Sequence, residues 1–322
     1  MIVVMLYHCV IFWGGDWFTI QHIAIQARPL GILGKWLNSY HVYGFTLVSG
    51  YLFYYLKAEA GRYIEFLPFV INKSKRLLIP YVFTCIIWVA PIMTHYYKLG
   101  LKDVIYRFIL GSSPGQLWFL LMLFWIFIVG WLLSKKIFGS LMFSIIISVT
   151  IYVAGIVGNI LLPNIWMIWT ACNYFPCFVL GMCLRKYTVH FSSIILITIQ
   201  VLLFVISQVL TGRDGAWIFI GYALDFLLHI VSALMAWSVL QWLGSRVKWK
   251  ESKVFMALSK NSMPMYLFHQ QIIYFTIYWL NGKVNPYLHA GINFVVALGV
   301  SFIISSILMK WKVTRFLIGE KA

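Results

Sequence analysis

The run from Ile137 to Leu184 holds 48 residues without a single formal charge. A helix needs about 20 apolar residues to cross roughly 30 Å of hydrocarbon, so this stretch is long enough for two crossings. Leu162-Pro163-Asn164 supplies the break between them, because proline and asparagine end helices. The rest of the chain has the same character: 62% of its 322 residues are hydrophobic and 10% are charged, whereas soluble domains carry about 45–50% and about 25%. A water-soluble exterior cannot be built from that composition. A cytosolic enzyme and a secreted domain are thereby excluded, and a closed β-barrel would show short alternating segments instead.

The fold expected is an all-α membrane protein, a polytopic bundle of about ten transmembrane helices forming one domain over residues 1–322. The spans fall near 1–14, 41–56, 77–97, 116–134, 139–161, 165–184, 191–210, 216–243, 261–280 and 287–309. The first is short, since thirteen helical residues reach only about 20 Å. We therefore expect residues ahead of Met1 in the complete protein. No basic segment precedes this apolar run and no small-residue cleavage pattern follows it, so it does not read as a signal peptide.

Lysine and arginine number 25 against 8 acids, a net charge of +17. Their placement explains the excess without any nucleic acid. Alternate loops carry 18 of them, among them Lys57, Lys73, Lys75, Arg76, Lys135, Arg185, Arg246, Lys248 and Lys310. The other loops carry 7, including Arg28, Lys98, Arg107 and Arg213. The positive-inside rule then places the richer loops and the C-terminus in the cytoplasm, against anionic lipid headgroups. The five cysteines are odd in number and include no CxxC pair, so neither a disulfide framework nor a metal site is expected.

Ionisable groups at membrane depth are costly and mark functional sites by default. His8 lies in the first span. It reads either as a general base, with an unperturbed pKa of about 6.5, or as a histidine that packs helices. Asp225 and His229 are four apart and share a helix face, either fixing a tautomer or merely neutralising each other. His269 lies in the ninth span, while His41 and His289 fall near span ends where water or headgroups would satisfy them. Lys73, Lys75 and Arg76 precede Leu77-Leu78-Ile79-Pro80-Tyr81, as phosphate ligands or as a lipid anchor. Ser49 can bond across helices and Gly50 can permit close approach. Trp118-Phe119 reads more naturally as packing than as a binding box.

Six segments follow one another across nearly the whole chain: VVMLYHCVIF around His8, GFTLVSGYLFYY from Gly44, INKSKRLLIPY from Ile71, QLWFLLMLF from Gln116, YFPCFVLGMCLRK from Tyr174 and NSMPMYLFHQQIIY from Asn261. Their order and spacing resemble the acyltransferase 3 family of bacterial integral-membrane acyltransferases, in its stand-alone branch. The resemblance implies a ten-helix bundle in the cytoplasmic membrane. By the same resemblance such a bundle would move an acyl group, often acetyl, from cytoplasmic acyl-CoA to a hydroxyl of a surface glycan or a lipid-linked sugar. Acetyl-CoA is then a co-substrate, with no permanently bound cofactor.

By the same resemblance His8 falls on the family's catalytic first-helix histidine. Lys73 and Arg76 fall on a paired basic motif that holds the donor's phosphates, with Lys75 between them. Ser49 and Gly50 fall on a second-helix signature, and Asp225, His229 and His269 are supporting candidates. Three departures stand out. A basic residue ten or eleven positions before the histidine would lie ahead of Met1. Lys73 replaces an arginine, which keeps the charge but loses the bidentate fork. Gln116 stands where relatives often have histidine. The alternative within the same resemblance is a glycan exporter.

Overall fold

Lipid offers no partner to a backbone N–H or C=O, so each apolar segment satisfies itself by coiling into a helix. The computed structural model describes residues 1–321 apart from positions 16, 190, 211–216 and 248. Among these residues all regular structure is helical. Helix α1, Ile2–Val10, tightens into a 3-10 turn at Ile11–Gly14; α2 is Arg28–Asn38 and α3 is His41–Tyr54. Then come α4 (Phe66–Tyr97), α5 (Gly115–Gly139), α6 (Leu141–Leu161), α7 (Ile165–Tyr187), α8 (Ser193–Leu210) and α9 (Trp217–Arg246). Helices α10 (Ser262–Leu280) and α11 (Pro286–Leu308) complete the bundle.

Among the described residues seven helices, α4 to α9 and α11, are long and apolar enough to cross a membrane. The other three expected spans coincide with α1 and α3, which are shorter, and with α10, which carries His269-Gln270-Gln271 at its centre. Arg213, Lys248 and position 216 from the charge and span assignments lie outside the described residues. Helix α2 falls in no expected span. Pro29 starts it, and Leu30, Gly31, Gly34 and Leu37 form its buried face. A Cβ on Gly31 would lie 2.4 Å from the Trp13 carbonyl oxygen, so the glycine is what lets this helix seat against the end of α1.

The best-buried spans are α5 and α7, at 56%, against 22% for α6, α8 and α11, which present apolar faces to lipid. Helices α3 and α7 touch backbone to backbone. A Cβ on Gly50 would meet the Phe178 carbonyl oxygen at 1.9 Å, and one on Gly181 would meet that of Leu47 at 1.9 Å. This is the small-residue packing by which membrane helices associate, and it realises the close approach expected of Gly50. Helix α4 contains two π turns, Ser74–Leu78 and Cys85–Val89. Pro80 and Pro91 follow them; each lacks an N–H for the carbonyl four residues back, and the ladder shifts its register there.

Helices α4 and α10 run parallel. The Trp88 indole donates to the Phe268 carbonyl at 3.1 Å, and further along Tyr96 meets Phe275 and Tyr278 at ring separations of 5.7 and 5.4 Å. The start of α10 and the basic segment at the start of α4 therefore lie at one end of the bundle.

Candidate functional site

Helix α1 places His8 deep in the bundle, 8% exposed, against a fully buried His269 from α10. The His269 Nδ1 lies 2.8 Å from the Tyr266 carbonyl oxygen. A carbonyl only accepts, so this nitrogen carries the proton, and Nε2 of the neutral ring keeps its lone pair. That Nε2 lies 3.0 Å from His8 Nδ1, which is also 3.0 Å from the Val4 carbonyl oxygen. Both neighbours are acceptors, so His8 carries its proton on Nδ1 and shares it between them. The His8 Nε2 lone pair is left over, and no group among the described residues bonds it. Two backbone carbonyls thus set the tautomers of both rings.

His8 lines a cavity of about 590 Å³ among α1, α3, α5 and α10. At the basic end of the bundle the cavity reaches Met1, Ser262 and Met263; at the other it reaches Thr19, Tyr97, Arg107 and Ser113. Aromatic and apolar side chains dominate the wall, with Ser49, Asn38 and Gln270 as polar points. A Gln116–Gln271 amide pair braces the site. Gln116 Nε2 donates to Gln271 Oε1 at 2.7 Å and to the Leu267 carbonyl at 2.8 Å, while the Tyr266 hydroxyl donates to the Gln116 carbonyl. The start of α5 is thereby fixed to the turn of α10 that carries His269.

The expected site residues separate into groups. His8, Ser49 and His269 meet at or beside the cavity, and His269 touches His8 itself. Lys73 does not reach it. Its side chain is buried at 8% exposure, with the ammonium 3.5 Å from the Phe127 ring centroid and 4.9 Å from that of Tyr63. The physical reason is its position on the inward stripe with Phe69 and Leu77, where aromatic faces take the place of water for the cation. Lys75 and Arg76 are exposed.

Asp225 and His229 line a second cavity of about 350 Å³ with Tyr152, Tyr222, Asn159 and Asn173. They are not paired to each other, and His229 stacks on Tyr43 at 3.8 Å instead. Arg185 is engaged by Glu59, at 2.9 and 2.6 Å, and by the Tyr51 hydroxyl at 2.9 Å. That guanidinium holds the Glu59 carboxyl below its ordinary range.

Two expectations are corrected. His41 is not satisfied by water: it is buried, bonds the Leu37 carbonyl at 2.8 Å through Nδ1, stacks on Tyr7 and lines the cavity. His289 is likewise buried, with Trp13, from the 3-10 turn that ends α1, meeting it edge-on. Trp118 packs against Phe119 and Tyr174 and lines the cavity wall. Sequence reasoning missed Trp17, Phe18 and Arg107, which reach the cavity from connecting segments where no periodicity marks an inward face.

A family model described as an acyltransferase domain matches residues 1–310. No curated protein and no solved structure matches the chain.

Proposed function

The chain belongs to the acyltransferase 3 family of membrane acyltransferases, and on that footing we propose that it moves acetyl from acetyl-CoA to a hydroxyl of a cell-surface polysaccharide or its lipid-linked precursor. One observation carries this reading: His8 lines the cavity with its Nδ1–H held by His269 and Val4, while its Nε2 has no partner among the described residues. That is a base with a fixed tautomer and a built-in acceptor for the far proton.

The coenzyme enters from the basic end, which faces the cytoplasm. Its phosphates stay outside with Lys75 and Arg76, while the pantetheine arm passes Ser262 and Met263. The acceptor hydroxyl gives its proton to His8 Nε2 as its oxygen attacks the thioester carbonyl carbon. As His8 becomes imidazolium, the bond from Nδ1–H to His269 becomes charge-assisted and strengthens. Collapse of the tetrahedral adduct breaks the C–S bond, and the departing thiolate takes the proton back from Nε2. Ser49 and Asn38 offer side-chain donors to the carbonyl oxygen, and neither is engaged by another side chain among the described residues.

The test is to incubate the purified, membrane-reconstituted protein with acetyl-labelled acetyl-CoA and surface glycan. Label appearing on sugar as an ester is the expected result. Movement of glycan across the membrane without label would overturn acyl transfer and support an exporter.

A further inference from the structure

The acyl-transfer reading leaves the acceptor's chemistry open, and the end of the cavity away from Lys75 and Arg76 speaks to it. Arg107 sits on a π turn, Ile105–Ile109, and lines that mouth half-buried. Among the described residues no carboxylate pairs with it, and no aspartate or glutamate lines the cavity. Its closest charge-stabilising neighbour is the face of Tyr97, 5.6 Å away. Arginine does not shed its proton, and a partly desolvated cation is costly until an anion completes it.

Between this cation and the base runs a row of rings. Tyr97 meets Phe18 at 6.3 Å, Phe18 stacks on Tyr274 at 4.4 Å, Tyr274 meets Trp17 at 5.0 Å, and Trp17 meets His8 at 5.5 Å. Phe18 and Tyr274 are buried against each other and hold the row together, while Tyr97 and Trp17 at its two ends are half-buried; flat aromatic faces match the C–H faces of sugar rings, and a guanidinium fork matches a carboxylate or phosphate. The two recognition elements lie on one wall, in sequence, and lead to His8.

We infer that the acceptor is an anionic glycan, its carboxylate or phosphate gripped by Arg107 while a neighbouring sugar lies against the half-buried rings of Tyr97 and Trp17 and presents a hydroxyl to His8. This rests on the acyl-transfer reading for the fate of the hydroxyl, but the anion grip can be measured without turnover. A uronic-acid oligosaccharide and an oligomer of glycerol phosphate supply the same charge from two sources.

The experiment is equilibrium dialysis of the full chain in lipid nanodiscs. The radiolabelled probes are a uronic-acid tetrasaccharide, its carboxyl-reduced neutral form, a glycerol phosphate oligomer and neutral oligoglycerol. One anionic probe is expected to bind at least about tenfold tighter than its neutral counterpart, in keeping with a hydrogen bond to a charged group. Which of the two does so identifies the source of the anion. Arg107→Gln abolishes the preference, Arg107→Lys keeps part of it, and raised salt weakens it.

Equal binding of charged and neutral probes by the wild type, or an intact preference in Arg107→Gln, overturns the inference. Acetyl-CoA binding at the opposite end, measured in the same preparations, reports that the variants are folded. Coenzyme binding without anion preference sinks this inference alone; anion preference without coenzyme binding supports it and counts against acetyl transfer.

Discussion

Replacing His269 with leucine removes the acceptor of the His8 Nδ1 proton while keeping an apolar side chain in a fully buried position. A hydrogen bond to a charged group nets about 1.5–3 kcal/mol, against about 0.5–1.5 for a neutral pair. The Val4 carbonyl, at the same 3.0 Å, remains to take the proton, so the lower part of that range applies. A loss of about 1.5 kcal/mol, confined to the state in which His8 is charged, lowers kcat roughly tenfold. The KM for acetyl-CoA stays within about twofold, because the donor is bound at the other end and before the proton moves. His269→Gln places an amide oxygen near the same spot and recovers part of the rate. The assay is steady-state transfer of labelled acetyl by reconstituted protein, with thermal unfolding as a check on folding. An unchanged kcat in His269→Leu, or a fall carried wholly by KM, would refute the dyad.

Gly181→Ala puts a methyl 1.9 Å from a backbone oxygen that has no rotamer to escape into. We expect a loss of about 3 kcal/mol by thermal unfolding in detergent, the upper end for overpacking, whereas Gly299→Ala, with open space around it, stabilises its helix slightly. Lys73→Met leaves the KM for acetyl-CoA unchanged because the ammonium is already covered by aromatic rings, while the double variant Lys75→Ala/Arg76→Ala raises it several-fold; the two KM values check the assignment. Asp225→Asn leaves acetyl transfer at the wild-type rate in the same assay, since the second cavity is separate from His8.

Much of the bundle was legible because lipid leaves a chain few options. Charge-free runs became helices, Leu162-Pro163-Asn164 separated α6 from α7, and Gly50 marked a crossing where backbones touch. His8 also stood out, since an ionisable ring in an apolar run is costly, although its role as base or as packing histidine was open. Its partner was less legible: the two histidines are 261 positions apart, and nothing local to either says they will meet. Lys73 carried a readable signal, being four residues from buried Phe69 and from buried Leu77 on one helix stripe, while Lys75 and Arg76 fall off it. The family pattern pulled toward phosphate, but burial was decided by the helix face. Arg107 and Trp17 had no such stripe to betray them, because π turns and loops aim side chains without a fixed period.

His8→Ala in the intact, membrane-inserted protein, followed by transfer of labelled acetyl to glycan at saturating donor, tests the role of His8 as the base. A positioned general base contributes about 10²–10⁴-fold, so transfer should fall by that factor while acetyl-CoA binding and protein abundance hold. Wild-type transfer by this variant at normal abundance would contradict the account.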